Sequence, residues 1–216
     1  MPAIAAAPVD TRFWDRIARR YAARPVGDAA ALARTLERTR AVLPTDAAVL
    51  ELGCGTGTTA LRLAPHVGRI LATDVSPEMI AIARERAAYA GPANVSFAVA
   101  AADDADPGEE RFDAVLAFNL VHLLADRRAA LRAIHARLKP GGLFVSKTPC
   151  LAEMNPLVRL LVPAMRLVGK APYVAFFTAD ALERELAEAG FTIVERDRHG
   201  SGRKDARVFL VARKDG

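Results

Sequence analysis

The sequence predicts an α/β fold, in which seven strands form one doubly wound, mostly parallel sheet. Short apolar runs alternate with helix-like segments along the chain, which is the pattern of a parallel sheet covered by helices on both faces. The first run leads directly into a glycine-rich loop, and the second ends in an acidic residue. Since 216 residues are enough for one such unit, we expect a single domain over 1–216.

Two helices are expected before the sheet, in an N-terminal helical cap over 10–43. The first of them, over 13–23, places Phe13, Ile17 and Tyr21 on one face at helical spacing. These apolar side chains should pack that helix against the rest of the domain.

Seven apolar, β-branched runs are the expected strands. They cover residues 49–51, 70–74, 94–99, 112–118, 143–147, 191–196 and 207–212. Between the second and the third run, Ser76 is a suitable N-cap and Pro77 a suitable first helical residue. After the fifth run, residues 149–177 form a helical insertion, and a helix over 179–189 follows it.

The loop after the first strand reads G-C-G-T-G over 53–57. Glycines let a backbone turn sharply and let a ligand approach the main chain, so the loop predicts a nucleotide site. Gly55, Gly57 and Ala60 also satisfy the spacing of a dinucleotide fingerprint. An NAD-binding oxidoreductase is therefore one interpretation, whereas Glu51, just before the loop, favours a ligand with positive charge.

Several strings resemble motifs of one family. E-L-G-C-G-T-G over 51–57 resembles the first motif of class I S-adenosylmethionine (SAM) dependent methyltransferases, and D-V-S-P-E-M-I-A-I-A-R over 74–84 resembles their second. F-D-A-V over 112–115 and L-K-P-G-G over 138–142 occur in the same family. The resemblance covers about 13–147 and implies a Rossmann-like fold with an antiparallel edge, SAM as cofactor and S-adenosylhomocysteine as product. SAM carries a sulfonium and an ammonium but no phosphate, so its site needs carboxylates and apolar walls.

The N-terminal string F-W-D-R-I-A-R-R-Y over 13–21 resembles small-molecule methyltransferases related to the ubiquinone and menaquinone biosynthesis enzymes. In those enzymes the segment lies over the SAM pocket, and its tyrosine, here Tyr21, faces the cofactor. In a second interpretation, Trp14 and Tyr21 only pack the helix onto the core. The resemblance implies methyl transfer to a small, partly hydrophobic acceptor. A SAM-binding protein without catalysis is a further alternative.

The resemblance also assigns cofactor contacts. Asp74 would take the ribose hydroxyls, and Met79 would pack on the adenine. The family usually carries G-D-A where this chain has alanine at 100–102, so Asp103, in preference to Asp104, or a neighbouring backbone amide would hold the adenine amine. The complete predicted set is Tyr21, Glu51, Gly53, Cys54, Gly55, Gly57, Asp74, Val75, Met79, Asp103 and Asn119.

The fourth strand leads into F-N-L-V-H over 118–122. Enzymes that methylate exocyclic amines of nucleic acids carry D/N-P-P-Y/F at this point, and its absence argues against such substrates. His122 matches a histidine often found in the small-molecule families. It titrates in the right range for a general base, should the acceptor have to lose a proton. Alternatively, it bonds to loop backbone or covers the cofactor.

The insertion contains an apolar segment over 157–170 in which Arg159, Arg166 and Lys170 share one helical face. Pro163 is expected to kink this helix. Three interpretations remain open. The segment is a lid whose apolar residues wall the substrate pocket, a basic amphipathic helix that touches a membrane surface, or a contact in a homodimer.

Composition narrows the function classes. The net charge is +5 and the isoelectric point about 9.6, but the charges are scattered, which argues against a nucleic-acid partner. No apolar run reaches membrane-spanning length, and residues 1–9 lack a signal-peptide pattern. Cys54 and Cys150 make no disulfide framework. We expect a cytoplasmic enzyme, monomeric or homodimeric, without a metal site.

Overall fold

A computed structural model describes residues 11–102, 110–154, 156–201 and 205–216, and its strands form one sheet in the order β3-β2-β1-β4-β5-β7-β6. The strands are β1 (Ala48–Leu52), β2 (Arg69–Asp74), β3 (Val95–Val99), β4 (Phe112–Phe118), β5 (Leu138–Pro149), β6 (Phe191–Asp197) and β7 (Arg207–Lys214). The first five pair in parallel, and β7 is antiparallel to both β5 and β6. This confirms the predicted doubly wound, mostly parallel sheet with an antiparallel pair at one edge.

The strand order reverses between β1 and β4, which creates a crevice at the carboxyl ends of the strands. In register, Leu52 lies beside Thr73 of β2 and Ala117 of β4. The loops that follow β1, β2 and β4 therefore emerge next to one another. Ligand sites of open α/β sheets lie at this position.

Seven helices are present in the described ranges. They are α1 (Thr11–Ala22), α2 (Ala29–Val42), α3 (Thr58–Leu63), α4 (Pro77–Ala90), α5 (Arg127–Arg137), α6 (Leu157–Leu167) and α7 (Ala179–Glu188). Four of them begin at a side chain that accepts a backbone N–H: Asp28, Ser76, Asp126 and Thr178. Such N-caps satisfy donors that the first helical turn leaves free.

Apolar side chains from the two faces of the sheet form two cores. Phe144 and Leu131 belong to the core beneath α5 and α7, whereas Val145 and Phe209 belong to the core beneath α3 and α4. Neighbouring residues of β5 alternate between the two cores because successive strand side chains point to opposite faces. The same alternation directs Lys147 and Thr148, at the end of β5, to opposite sides of the sheet.

The insertion places its helix on the surface of the domain. Helix α6 ends at Leu167, runs through Pro163 and buries none of its residues. Leu157, Leu160 and Leu167 are 67%, 73% and 90% exposed, so the apolar residues of α6 lie on the surface and do not wall a pocket. The chain after α6 enters the core instead: Ala175 and Phe177 are buried, and Ala175 N–H donates to His122 O at 2.7 Å.

None of the described helices combines the length and the apolar character needed to cross a bilayer.

Candidate active site

The glycine loop is held in a conformation that other residues rarely adopt. Gly53, Gly55 and Gly57 have φ values of 65°, 54° and 77°, in the left-handed region that favours glycine. A Cβ on Gly53 would lie 2.8 Å from Leu120 Cδ1, and one on Gly57 would lie 2.9 Å from Phe97 Cε1. A Cβ on Gly55 would meet only the Tyr21 ring, at 3.9 Å. Gly53 and Gly57 thus serve packing, whereas Gly55 leaves room above the loop.

A cavity lies above this loop, at the carboxyl ends of β1, β2 and β4. Among the described residues that line it, Glu51 and Asp74 are the only members of the set Asp, Glu, Lys, Arg and His, and we call it the acidic cavity. It brings together nine of the eleven predicted cofactor residues: Tyr21, Glu51, Gly53, Cys54, Gly55, Asp74, Val75, Met79 and Asn119. Gly57 is not among its lining residues, and Asp103 lies outside the described residues.

Glu51 is a buried acid that lacks a full set of partners. It is 2% exposed, and its Oε2 has no hydrogen-bond partner among the described residues. Burial, reinforced by the nearby Asp74, raises the pKa of Glu51 to about 8, although a hydrogen bond from the Ala60 N–H opposes the shift. The carboxyl group is therefore mainly neutral at pH 7, and a cation or a donor in the cavity would stabilise its ionised form.

Asp74 joins the two loops at the floor of the cavity. Its Oδ2 accepts the Gly55 N–H at 2.8 Å, and its Oδ1 accepts the Ser76 N–H at 2.9 Å. Burial raises the pKa of Asp74, although these two bonds oppose the shift. Each carboxylate oxygen retains a second lone pair, so both can still accept hydroxyl groups from a ligand.

The remaining walls are largely apolar. Met79 is 2% exposed, and Ala100, Ala101 and Ala102 also line the cavity. Ala101 therefore supplies backbone, and no carboxylate, at the point where the resembling family carries aspartate. Asn119 has φ 54° and is the only non-glycine residue in the described ranges with positive φ. Such backbone strain concentrates at functional sites.

The cavity is covered from two directions. Helix α1 contributes Trp14 and Tyr21, and the chain after α6 contributes Pro172 and Tyr173. The two parts touch where Arg16 Nη2 donates to Gly169 O at 2.6 Å. Sequence reasoning did not find Pro172 and Tyr173. The available signal was the aromatic run A-P-Y-V-A-F-F over 171–177, which matches no motif.

His122 lies outside this assembly. It sits in a short 3-10 turn (Val121–Leu123), is not among the residues lining the cavity, and has its Nδ1 3.1 Å from Thr148 Oγ1. Burial lowers the pKa of His122 to about 4. The imidazole is therefore neutral at pH 7, and the structure does not bring it together with the predicted cofactor residues.

The two cysteines are free and buried. Burial raises the pKa of Cys150 to about 11 and also raises the pKa of Cys54. Because the thiolate is the reactive form of cysteine, neither thiol is activated as a nucleophile. No group of three or more His, Cys, Asp or Glu that could hold a metal ion occurs in the part of the chain that the structure describes.

The sequence profile of a family described as "Methyltransferase domain" matches residues 19–196, so the chain belongs to this methyltransferase family. A curated relative, the ubiquinone biosynthesis O-methyltransferase of Cereibacter sphaeroides, is 32% identical over 155 residues. The match covers 68% of this chain and 61% of the relative, so the chain spans about three fifths of that relative's length.

Two solved structures share the fold. An S-adenosylmethionine-dependent methyltransferase from Mesorhizobium loti matches with a TM-score of 0.72 and 23% identity, over 86% of this chain and 99% of the other. The N-methyltransferase NodS from Bradyrhizobium japonicum, in complex with S-adenosylhomocysteine, matches with a TM-score of 0.69 and 21% identity, over 94% and 99%. These two structures show the fold, and the family match confirms the class predicted from the sequence, a methyltransferase.

Proposed function

We propose that this protein transfers the methyl group of SAM to a small, partly apolar acceptor. One observation supports this most strongly. The acidic cavity, at the strand-order reversal, is lined by two carboxylates and by no cationic residue among those described. A ligand with a sulfonium and an ammonium suits such a cavity, whereas the pyrophosphate of NAD would meet two acids and no cation.

The lining residues fit SAM in a definite arrangement. We assign Asp74 to the ribose hydroxyls, because both of its oxygens keep a free lone pair beside the glycine loop. Glu51, with its unpartnered Oε2, suits the ammonium. Met79 and the backbone at Ala101 suit the adenine, and the open space at Gly55 lets the ligand lie against the main chain.

SAM supplies a methyl group on a positively charged sulfur that becomes neutral when the methyl leaves. The acceptor's lone pair forms the new bond to the methyl carbon while the carbon–sulfur pair stays on sulfur. Much of the acceleration in such a displacement comes from alignment and from the exclusion of water. The residues that do this here are Tyr21 and Asn119 at the wall, with Trp14 and Tyr173 as cover.

The general-base role of His122 stays a prediction. The contact of its Nδ1 with Thr148 Oγ1 and its lowered pKa favour a positioning role of the side chain instead. His122→Ala separates the two roles. If His122 is a general base, this variant should have a lower turnover number and an unchanged SAM affinity. If His122 is a positioning residue, both the turnover number and the SAM affinity should fall.

The cover and α6 carry two further proposals. Pro172 and Tyr173 form a lid, and the exposed apolar face of α6, with Arg159 and Arg166, provides a surface over 157–170 for either a peripheral membrane contact or a second copy of the chain. Binding to anionic vesicles that Arg159→Glu with Arg166→Glu abolishes would support the membrane contact. A molar mass in solution that doubles as the protein concentration rises would support the dimer.

The name of the curated relative makes an acceptor oxygen the first atom to test. The purified protein, incubated with methyl-labelled SAM and fractionated small-molecule extracts, should transfer label to a small molecule and release S-adenosylhomocysteine. Mass spectrometry of ligands that co-purify should detect SAM or its product. A protein that binds SAM but labels nothing in any fraction would favour the alternative of a non-catalytic SAM-binding protein.

A further inference from the structure

A second cavity adjoins the acidic cavity and has the opposite charge. Its volume is about 570 Å³, within the range of small-molecule sites, roughly 300–1,000 Å³. The two cavities share Tyr21, Phe118 and Asn119 as a common wall. We call the second one the basic cavity, because its charged lining residues in the described ranges are four cations and one acid: Arg24, Arg86, Lys147, Arg207 and Asp28.

Lys147 is the most unusual of these residues. It lies near the end of β5, beside Phe118 of β4, and is only 6% exposed. No described carboxylate lies within ion-pair distance of its Nζ, and its hydrogen bond goes to a neutral hydroxyl, Thr35 Oγ1, at 2.9 Å. An ammonium group has three donors. A buried charge without a counter-ion is costly, so an anion that completes this site would be strongly favoured.

Neighbouring groups hold Lys147 in place and do not neutralise it. Thr35 Oγ1 donates to Ala31 O at 2.7 Å and lies 3.0 Å from His199 Nδ1. Burial and then the nearby Arg207 lower the pKa of Lys147, and Asp205 and Asp28 oppose this shift only partly.

The two nearby acids are already engaged. Asp205 accepts from the Arg207 side chain at 2.8 Å and from its backbone N–H at 3.1 Å. Asp28 accepts from Ala31 N–H at 2.8 Å and from the Ser201 N–H and hydroxyl, which lowers its pKa to about 2. A second cation of the cavity, Arg86, donates to neutral oxygens of Thr56 and Ala22. The basic cavity thus keeps an excess of positive charge.

We propose that the basic cavity binds the acceptor, and that Lys147 anchors an anionic oxygen group of it, a carboxylate or a phosphate. The inference rests on the proposed methyltransferase function. An acceptor held at Lys147 by its anionic end would extend its other end toward Tyr21 and Asn119, which line both cavities. There it would meet the methyl donor bound in the acidic cavity. Cofactor and acceptor would then be sorted by charge, the cation into one cavity and the anion into the other.

Calorimetry on the full chain saturated with S-adenosylhomocysteine tests this. The probes are benzoate, phenyl phosphate and the neutral benzamide. For the wild-type protein we expect one of the two anions to bind at least tenfold tighter than benzamide, and the preferred anion identifies the acceptor group. Methionine has a similar length and suits burial, so Lys147→Met should lower the affinity for that anion by about 10–100-fold. Lys147→Arg should retain most of the affinity for the anion.

The matched control is Lys139→Met, which makes the same change at the opposite end of β5, in an exposed ion pair with Asp113. It should leave anion binding unchanged. Equal affinity for anions and benzamide, no anion binding at all, or an unchanged anion affinity in Lys147→Met would each overturn the proposal. A loss of S-adenosylhomocysteine affinity in Lys147→Met would also overturn it, because the lysine would then serve the cofactor's own carboxylate. A wild-type protein that does not bind S-adenosylhomocysteine would refute the methyltransferase proposal instead.

Discussion

The floor and the cover of the acidic cavity are built in different ways. The floor consists of the glycine loop over 53–57, Glu51 and Asp74, and it is fixed by hydrogen bonds such as the one from Gly55 N–H to the Asp74 side chain, at 2.8 Å from Oδ2. The cover consists of the side chains of Trp14, Tyr21, Pro172 and Tyr173, which come from α1 and the insertion. Tyr21 is 49% exposed, and among the described residues a bond from Arg16 to Gly169 joins the two halves of the cover.

This difference indicates a division of labour. The floor carries charge and a defined main-chain conformation, so it should decide which cofactor binds. None of the four side chains of the cover is fully buried, and partly exposed regions of this kind open locally at low free-energy cost. It should therefore decide when the site is closed and hardly affect the identity of the cofactor. Changes in the floor should have larger effects on SAM affinity than changes in the cover.

The largest effect is expected for Gly55→Val. A β-branched residue is strained at φ 54°, and its side chain would fill the space against which the ligand lies. SAM affinity should fall by at least about 100-fold while the circular dichroism spectrum stays native. Gly141→Val is the control, since Gly141 also has a positive φ, 71°, with open space around it. Gly141 lies near the start of β5, away from the carboxyl ends of the strands. If Gly55→Val binds SAM normally, the ligand does not approach this backbone.

Asp74→Ala should weaken SAM binding by about 1.5–3 kcal/mol, the scale of hydrogen bonds to a charged group. Part of the loss would come from the glycine loop, whose Gly55 N–H loses its acceptor. Asp113→Ala is the matched control, because Asp113 also holds a backbone N–H, that of Ala48 at 2.8 Å, but lies far from the cavity. Calorimetry measures both. A change of only a few tenths in Asp74→Ala would show that Asp74 does not hold the ribose.

Glu51 should make SAM binding depend on pH. With its pKa raised to about 8, the carboxyl group is protonated in the ligand-free protein at pH 7. A bound cation favours the carboxylate and lowers that pKa, so binding should release up to one proton at pH 7. The contribution of Glu51 to affinity should rise by up to about tenfold per pH unit from pH 6 to 8 and level off above.

Calorimetry at pH 7 in buffers of different ionisation enthalpy measures the released proton. Glu51→Gln supplies the baseline, because the amino group of free SAM also titrates near pH 8. Identical proton release in the variant and the wild type would contradict the assignment of Glu51.

The smallest effect on affinity is expected in the cover. Tyr173→Ala should cost SAM binding less than about 1 kcal/mol, since it removes one partly exposed wall. Hydrogen exchange between residues 153 and 177 should instead be fast without ligand and slow down with SAM and acceptor. Protection that appears only with anionic vesicles would support the membrane contact, and protection that rises with concentration would support a dimer. Full protection in a dilute, ligand-free monomer would mean that the segment is fixed core.

The floor could be predicted from the sequence because local chemistry determines it. Gly55 needs a left-handed backbone, Asp74 ends a strand, and Ser76 caps the next helix, so each residue type reports its own conformation. The doubly wound, mostly parallel sheet was predictable as well, since alternating strands and helices have few arrangements.

The cover could not be predicted in the same way. Nothing in Leu157 or Leu160 indicates that the chain at Ala175 enters the core while α6 stays exposed. The position of the His122 side chain depends on another tertiary contact, between its Nδ1 and Thr148 Oγ1. In the sequence, Lys147 is likewise one polar residue at the end of a predicted strand. Only the packing of α2 against it shows that its cation is buried.

Calorimetry of the wild-type protein with SAM and with NAD shows whether the floor selects SAM by charge. We expect micromolar binding of SAM and no measurable heat with NAD under the same conditions. Tight binding of NAD without any signal from SAM would contradict this expectation.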